Sequence, residues 1–243
     1  MTTHVDEKQS RAYYDEFSAG YERKRGRGYH ALIDDLEVEL ATRHVGGARI
    51  LEAGAGTGLV LQRLAPHARQ AVGIDLSAGM LRLARERELS VAQASVEVLP
   101  FADETFDVVL SFKVLAHVPG IEAAVRELCR VTRKGGHLVL EFYNRHSLRT
   151  LIKRLKRPTT IGQTFSDEDV HTRFDSLADI LRYLPPGVSL QAIRGVRVLT
   201  PVAQVHDLPV VSRLFAAAER LAADAPGLRR LGGFLIVVLR RDG

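Results

Sequence analysis

The chain is poor in several residue types that often carry function. Its 243 residues include one cysteine, Cys129, and no tryptophan, and aromatic residues make up 6% of the total. A single thiol excludes an internal disulfide and a zinc site built from several cysteines. The scarcity of aromatic residues argues against a surface on which successive nucleic-acid bases stack. We therefore expect no metal ion, and nucleic acid is the less favoured partner.

Long apolar segments are also missing. No apolar run approaches the ~20 residues that a membrane-spanning helix requires. The first ten residues, MTTHVDEKQS, are polar and carry two acids, which differs from a secretory signal. Hydrophobic residues nevertheless make up 46% of the chain, enough for a substantial core. The sequence therefore predicts a cytoplasmic globular protein without a transmembrane segment.

Basic residues are in slight excess and are concentrated in two segments. The formal net charge is +5. Residues 22–27, ERKRGR, hold four basic side chains, and residues 145–157, RHSLRTLIKRLKR, hold six and no acid. In the second segment basic and apolar residues recur at helical spacing on different faces, which predicts a basic amphipathic helix. Two interpretations stay open for it: charges that face water, or peripheral contact with anionic lipid or an anionic substrate.

Strand-like and helix-like segments alternate through the middle of the chain. Helices are predicted within residues 9–45, after Leu59, after Ser77 and over 121–131, and Gly135-Gly136 is expected to end the last of these. Strands are predicted at residues 48–51, 70–74, 91–94, 106–112 and 137–142. This alternation predicts an α/β fold with a doubly wound, mostly parallel sheet that has helices on both faces.

The C-terminal part has a different order of elements. Residues 188–199 and 234–240 read as strands around a helix, and the last strand is expected to be antiparallel. On that helix Leu214, Phe215, Ala218 and Leu221 fall on one face, which predicts the buried side. We expect a single domain over residues 1–243. Its predicted parts are a helical cap at 1–46, a core at 47–144, a lid or substrate region at 145–187, and C-terminal strands with a helix at 188–243.

The stretch LEAGAGTGLVL, residues 51–61, places three glycines between a predicted strand and a predicted helix. In an open α/β sheet, ligands bind at the carboxyl ends of the central strands, and glycine lets backbone N–H groups approach them. Asp75 ends the next predicted strand, where a carboxylate can accept hydrogen bonds from both hydroxyls of a ribose. The pair predicts a nucleoside-bearing cofactor. The dinucleotide pattern G-x-G-x-x-G/A is not met, because Leu59 stands at its sixth position.

Four ordered blocks resemble the class I S-adenosylmethionine-dependent methyltransferases, of the small-molecule type similar to the ubiquinone/menaquinone methyltransferases. The blocks are EAGAGTG at residues 52–58, GIDLS at 73–77, LPFADETFDVV at 99–109 and RVTRKGG at 130–136. Outside residues 50–142 the resemblance is weak, although YDEFSAGY at 14–21 is similar to the family's opening segment. The resemblance implies S-adenosyl-L-methionine as cofactor, S-adenosyl-L-homocysteine as product and a Rossmann-like methyltransferase fold.

The resemblance also implies roles for individual positions. Glu52 would lie near the methionine ammonium, Asp75 would bind the ribose hydroxyls, and Leu76 would pack on the adenine. Ser95 stands where the family usually has an aspartate that binds the adenine, so a weaker, uncharged contact is expected there. The full set of expected cofactor-binding residues is Tyr14, Tyr21, Arg25, Glu52, Gly54, Ala55, Gly56, Gly58, Asp75, Leu76, Ser95, Val96, Glu97, Ser111 and Phe112.

The acceptor side of the reaction is less clearly marked. Methyl transfer from a sulfonium needs alignment, and a base only where the acceptor carries a proton that must leave. His117 is the candidate base, while Lys113, His171 and Arg173 are candidates for contact with the substrate. The predicted function is methyl transfer to an O, N or C atom of a small molecule, such as a natural product, a lipid or a quinone-like compound. An RNA or tRNA methyltransferase and a non-catalytic cofactor-binding protein are the alternatives, and the sequence leaves the acceptor and the oligomeric state open.

Overall fold

A computed structural model describes residues 7–22, 25, 28–148, 171–200 and 209–242. Seven strands form one sheet in the order β3-β2-β1-β4-β5-β7-β6. Strands β1 to β5 pair in parallel, whereas β7 runs antiparallel to both β5 and β6. The strands are β1 Arg49–Ala53, β2 Gln70–Asp75, β3 Val91–Gln93, β4 Phe106–Ser111, β5 Thr132–Tyr143, β6 Val188–Val196 and β7 Phe234–Arg241. The predicted mostly parallel sheet with an antiparallel C-terminal strand is confirmed.

Helices lie on both faces of the sheet. They are α1 Glu7–Tyr21, α2 Gly28–Val45, α3 Leu59–Leu64, α4 Ala78–Glu86, α5 Ile121–Val131, α6 Leu177–Arg182 and α7 Pro209–Asp224. Neighbouring strand residues point to opposite faces, so Ile50 packs with apolar residues of α2 and α3 while Leu51 packs with those of α5 and α6. Because both faces are covered, the central strands are apolar on both sides.

The order of the strands opens a gap between two neighbouring loops at the carboxyl ends of the strands. The chain passes from β1 outward to β2 and β3 and then returns to β4 on the other side of β1. The loops that follow β1 and β4 therefore leave the sheet in opposite directions. Such a reversal opens a crevice at the carboxyl ends of the strands, which is where open α/β sheets bind ligands.

Two expectations about local structure are wrong. Gly135 and Gly136 do not end helix α5, which ends at Val131, but lie inside strand β5. Gly136 is needed because a Cβ there would come within 2.7 Å of the Asp107 carbonyl oxygen on β4. The predicted apolar face of α7 is also wrong, since Leu214 is 68% exposed and Leu221 is 78% exposed. That helix packs instead through small residues such as Ala222 and Ala223, together with a buried acid.

Glu219, the buried acid of α7, explains why the helix packs through this face. The carboxylate of Glu219 accepts the backbone N–H groups of Val198, Leu199 and Thr200, which follow strand β6. Three backbone donors satisfy a buried carboxylate well, so the helix is held to the sheet by a polar contact that apolar periodicity does not reveal.

Most of the predicted basic helix at 145–157 lies outside the described residues. At its start, the guanidinium of Arg145 donates to the carbonyl of Phe174 and lies 3.6 Å from the carboxylate of Asp179. Within the ranges that the structure describes, no helix is long and apolar enough to cross a membrane.

Candidate functional site

A cavity of about 530 Å³ opens at the carboxyl ends of β1, β2 and β4, beneath helix α1. Its volume lies within the range of small-molecule sites in proteins. Of the fifteen expected cofactor-binding residues and the candidate base His117, fourteen line it: Tyr14, Tyr21, Arg25, Glu52, Gly54, Ala55, Gly56, Asp75, Leu76, Ser95, Val96, Glu97, Phe112 and His117. Residues that are up to 103 positions apart in the chain are therefore brought to one place by the fold.

The other two, Ser111 and Gly58, do not line the cavity, and both have structural roles. Ser111 is fully buried, and its hydroxyl donates to the carbonyl of Ala53 at 2.9 Å, which joins the ends of β4 and β1. Gly58 caps helix α3 with a φ of +82°, and a Cβ there would lie 2.3 Å from the Leu89 side chain. Helix packing, rather than contact with a ligand, explains glycine at this position.

The remaining glycines of the loop line the cavity and also have contacts within the protein. Gly54 has a φ of +83°, and a Cβ there would collide with Val114 at 2.1 Å. Only at Gly56 would a Cβ meet nothing within 4 Å. The backbone N–H groups of Gly54 and Ala55 donate to the Ile74 carbonyl, and that of Gly56 donates to Asp75. These N–H groups hold the loop against β2 rather than pointing at a ligand.

Asp75 organises the loop through both of its carboxylate oxygens. One oxygen accepts the Gly56 N–H and the other accepts the Ser77 N–H, each at 2.9 Å. A carboxylate offers about four acceptor positions, so two remain for hydroxyl groups in the cavity. Burial raises the pKa of Asp75, and the backbone donors oppose this rise.

Glu52 is the buried acid of the cavity. It is 3% exposed, and its Oε2 atom has no hydrogen-bond partner in the described part of the protein. Burial is the main reason why its pKa lies well above the ordinary value, and nearby Glu37 adds to the effect. An unpartnered buried carboxyl oxygen at a cavity wall is costly unless a ligand donor satisfies it. Glu52 and Asp75 together make this end of the cavity suited to a ligand with ammonium and hydroxyl groups.

Helix α1 covers the cavity and is fastened by a residue that the sequence analysis missed. The carboxylate of Asp15 accepts the Ser77 hydroxyl at 2.6 Å and the Gly79 N–H at 2.9 Å, at the start of helix α4. These bonds lower the pKa of Asp15. An acid at a helix N-terminus is stabilised by the helix dipole. The joint positions Tyr14 and Tyr21 over the cavity.

A buried group of charges closes the other end of the cavity. Lys113 has a φ of +60°, and its Nζ lies 2.7 Å from Asp34 and 2.8 Å from Glu37, both on α2. The guanidinium of Arg25 pairs with the same oxygen of Asp34 at 2.9 Å and also hydrogen-bonds to Tyr21. Lys113 does line the cavity, but it is already paired. Its ammonium therefore holds α2 to the end of β4, which leaves it poorly suited to act as a base.

Behind this group lie two buried carboxyl groups that influence each other's ionisation. They belong to Glu37 and to Glu141, which strand β5 places on the α2 side of the sheet. Repulsion between two buried negative charges favours a state in which one of the two carries a proton. Burial raises the pKa of both, and we assign the proton to Glu141, whose pKa is raised further by Glu37. Asp34 and Glu37 could have been noticed as two acids three residues apart, between apolar residues of helix α2.

The segment after β3 forms another part of the cavity wall. Ser95, Val96 and Glu97 line the cavity there. The carboxylate of Glu97 accepts the N–H of Gly120 at 2.9 Å, so this acid also fixes the start of helix α5. The Ser95 hydroxyl accepts the Glu97 N–H at 3.3 Å, which is a weak bond that leaves it available to another donor.

His117 lies in a short helical turn after β4 and lines the cavity. Its Nδ1 is 3.0 Å from the carbonyl oxygen of His171, which can only accept, so Nδ1 carries the proton of the neutral ring. Its Nε2 lies 3.4 Å from the hydroxyl of Tyr143. Burial lowers the pKa of His117, and the bond to the His171 carbonyl opposes that change. The imidazole is therefore neutral near pH 7.

Arg173, which the sequence analysis considered for substrate contact, has a structural role instead. Its guanidinium donates to the carbonyl oxygens of Leu115 and Val118, on either side of His117. It also pairs with Asp175, which is buried and accepts the hydroxyl of Tyr183. His171 contributes its backbone carbonyl to His117. In the described ranges, no group of three or more acidic, histidine or cysteine side chains is arranged to hold a metal ion.

Comparisons with known proteins agree with this geometry. Residues 51–140 match a family described as "Methyltransferase domain". The chain is 36% identical over 124 residues to a ubiquinone biosynthesis O-methyltransferase of Alkalilimnicola ehrlichii, covering 47% of this chain and 50% of that protein. It is 42% identical over 98 residues to a demethylmenaquinone methyltransferase of Mycobacterium sp. (strain KMS), covering 39% of this chain and 41% of that protein. A phosphatidylethanolamine N-methyltransferase of Cereibacter sphaeroides is 42% identical over 102 residues, covering 39% and 50% of the respective chains.

Solved structures extend the similarity of fold to almost the whole chain. A methyltransferase from Thermotoga maritima, described as a possible histamine N-methyltransferase, superposes with a TM-score of 0.67 at 20% identity, covering 95% of this chain and 99% of that one. Magnesium protoporphyrin IX methyltransferase of Synechocystis PCC 6803, solved with bound S-adenosylhomocysteine, gives 0.66 at 16% identity, covering 98% and 100%. The chain spans about half the length of the curated relatives it matches. Residues 51–140 of this chain are thus similar to a methyltransferase domain.

Proposed function

We propose that this protein transfers a methyl group from S-adenosylmethionine to a small molecule. One observation carries the proposal: a single cavity holds the unpartnered carboxyl oxygen of Glu52 and the carboxylate of Asp75, under a cap fastened by Asp15. That arrangement suits an adenosyl compound with an ammonium group, as the names of the relatives suggest.

The residues of the cavity fit this cofactor group by group. Glu52 can accept the ammonium of its amino-acid part, which would satisfy the unpartnered oxygen. Asp75 keeps two acceptor positions for the ribose hydroxyls. Leu76 and Val96 offer apolar walls to the adenine, and Ser95 offers one weakly engaged hydroxyl. When bound, the cofactor supplies a methyl group on a positively charged sulfur.

The chain's own contribution to the reaction is alignment and exclusion of water. Transfer proceeds fastest when the acceptor atom, the methyl carbon and the sulfur are held in line. Helix α1 covers the cavity with Tyr14 and Tyr21, which keeps bulk water away from the reacting atoms. Burial raises the pKa of both phenol groups, so they stay neutral and do not compete as nucleophiles.

The names of the relatives support a lipid-like or quinone-like acceptor. They are described as methyltransferases of ubiquinone biosynthesis, of demethylmenaquinone and of phosphatidylethanolamine. The cavity wall is compatible with such a partner, because its acceptor side includes the apolar residues Val114, Val118 and Pro119. We propose an apolar small molecule with one polar reacting group as the acceptor.

The proposal can be tested by following the methyl group. The protein is incubated with S-adenosylmethionine labelled with ¹³C in the methyl group and with cell extracts separated into lipids, polar metabolites and RNA. Label in the lipid or metabolite fraction supports the proposal. Label in RNA alone overturns it in favour of an RNA methyltransferase. Binding of the cofactor without transfer to any fraction would instead indicate a non-catalytic binding protein.

A further inference from the structure

The histidine at the cavity wall is held in one tautomer by the backbone. The His171 carbonyl accepts the proton of Nδ1, so the lone pair of the neutral ring resides on Nε2. In catalytic triads an acceptor on one ring nitrogen fixes the other as the base in the same way. Arg173 anchors the segment that supplies this carbonyl, because its guanidinium bonds on both sides of the turn that carries His117.

Tyr143, on strand β5, positions the ring of His117 from the other side. The two rings meet edge to face, with centroids 5.4 Å apart and planes at 81°. The Tyr143 hydroxyl lies 3.4 Å from Nε2, which is longer than a strong hydrogen bond. Nε2 is therefore oriented but only weakly engaged, and a better donor can compete for it. Catalytic hydrogen bonds in ligand-free sites are often long in this way and shorten when the substrate binds.

The charges around His117 restrict the kind of acceptor that it can serve. Among the described residues, the groups that face the imidazole are Tyr143 on β5 and His171, Thr172 and Arg173 on the segment that packs against the turn. None of these four is a carboxylate. The charge among them, on Arg173, is already paired with Asp175. These four groups therefore offer no carboxylate to hold a protonated amine, whereas a neutral hydroxyl needs no such partner.

We propose that His117 Nε2 accepts the proton of a hydroxyl group on the methyl acceptor, with Tyr143 as the positioning residue. The proposal rests on the methyl transfer proposed above and narrows it to transfer to oxygen. In that step the acceptor oxygen bonds to the methyl carbon while the bond between methyl carbon and sulfur breaks, its electron pair staying on sulfur. The acceptor proton passes to Nε2 and then to solvent. A phenol-like or enol-like hydroxyl suits a histidine base best. Its pKa of about 10 is far closer to the pKa of imidazole than the pKa of an alkyl alcohol is.

The first test is made on the protein without cofactor. The ¹⁵N shifts of the imidazole groups, followed by NMR against pH, report which ring nitrogen carries a proton. We expect His117 to carry its proton on Nδ1 and to titrate below its ordinary value of 6.5. Tyr143→Phe keeps the ring contact but removes the hydroxyl donor, so it should raise the pKa of His117. A proton on Nε2 at neutral pH overturns the assignment.

The second test uses the methyl-transfer reaction in the extract fractions. His117→Asn retains an amide donor for the His171 carbonyl but lacks a base, so we expect kcat to fall by about 10²- to 10⁴-fold. Affinity for S-adenosylhomocysteine should stay within about threefold of the wild type. His67→Asn, in an exposed turn away from the cavity, is the matched control and should leave the rate unchanged. Tyr143→Phe should move the acid limb of the kcat/KM profile to higher pH, which a purely structural role would not do.

The outcomes separate this inference from the proposed function. The ¹³C shift of the transferred methyl group distinguishes carbon bound to oxygen, nitrogen or carbon in the product. An O-methyl product together with a slow His117→Asn variant supports the inference. An N-methyl or C-methyl product, or a wild-type rate in His117→Asn, overturns the inference while methyl transfer itself stands. No methylated product in any fraction overturns both.

Discussion

Asp75 offers the sharpest test of the cavity, because its carboxylate has two tasks there. It accepts the N–H groups of Gly56 and Ser77, each at 2.9 Å, and in the proposed function it also accepts the ribose hydroxyls. Asp75→Asn has nearly the same size but keeps one acceptor oxygen and presents an NH₂ group on the other side. The NH₂ group of the asparagine then faces the N–H of either Gly56 or Ser77, and neither group can accept a hydrogen bond.

The size of the expected effect follows from the hydrogen bonds lost. A hydrogen bond to a charged group contributes about 1.5–3 kcal/mol. We expect Asp75→Asn to lose about this much in the free energy of unfolding through the loop. It should lose a similar amount in binding through the ribose contacts, so the dissociation constant of S-adenosylhomocysteine should rise by about 10- to 150-fold. Calorimetry measures the affinity, and urea unfolding measures the stability.

Asp107→Asn is the matched control. Asp107 also lies on a central strand and accepts a backbone N–H, that of Arg49 at 2.6 Å, but at the opposite end of the sheet. Arg133 and Arg69 pair with the same carboxylate there. This variant should lose stability without losing affinity. Wild-type affinity in Asp75→Asn would refute the reasoning, and so would an equal loss of affinity in both variants.

Three further changes test the cap, the glycine loop and the buried acids. Asp15→Ala should free helix α1 from the start of α4, because two charge-assisted bonds are lost. S-adenosylhomocysteine binding should then weaken by about 5- to 30-fold, as measured by calorimetry. Glu16 is exposed, so the control variant Glu16→Ala should bind normally. Gly54→Ala should lower the free energy of unfolding by more than ~2 kcal/mol, because its Cβ would collide with Val114 in a left-handed backbone. Adding Val114→Ala to the same chain should restore part of that loss, as measured by urea unfolding. No restoration would contradict the account. Burial holds the pKa of Glu141 above its unfolded value of 4.5, so the stability that this carboxyl contributes is complete below that value and is lost as pH rises through the folded pKa. Glu141→Gln stays neutral and should therefore gain stability relative to the wild type as pH rises above 4.5, and a gain toward acid pH would show that the sign is wrong.

The strand and helix order could be predicted from sequence because it depends on local patterns. Apolar runs on both faces identify covered parallel strands. A helix is predicted after Ser77, and the Ser77 hydroxyl caps that helix by accepting the Met80 N–H. The residues of the glycine stretch and Asp75 were placed at one site because parallel strands bring their carboxyl ends to the same edge. Such inferences need only the residue pattern along the chain and the rule that parallel strands bring their carboxyl ends to the same edge of the sheet.

Contacts between distant residues could not be predicted in the same way. Lys113 pairs with Asp34, which is 79 positions away, and Glu141 meets Glu37 across the interface between β5 and α2. Neither pair has a periodicity that marks it. Helix α7 was assigned the wrong face because three backbone donors around Glu219 outweigh the burial of two leucines.

Local patterns in the sequence are enough to predict the alternation of strands and helices and the edge of the sheet at which the cavity lies, because side-chain periodicity and chain order are local properties. Contacts formed on folding are needed to show that the N–H groups of Gly54, Ala55 and Gly56 bond within the protein. The same is true of Asp15, which fastens the cap, and of the carbonyl that sets the tautomer of His117. These features depend on which backbone groups face each other after the helices have packed, and packing is settled by the whole chain at once.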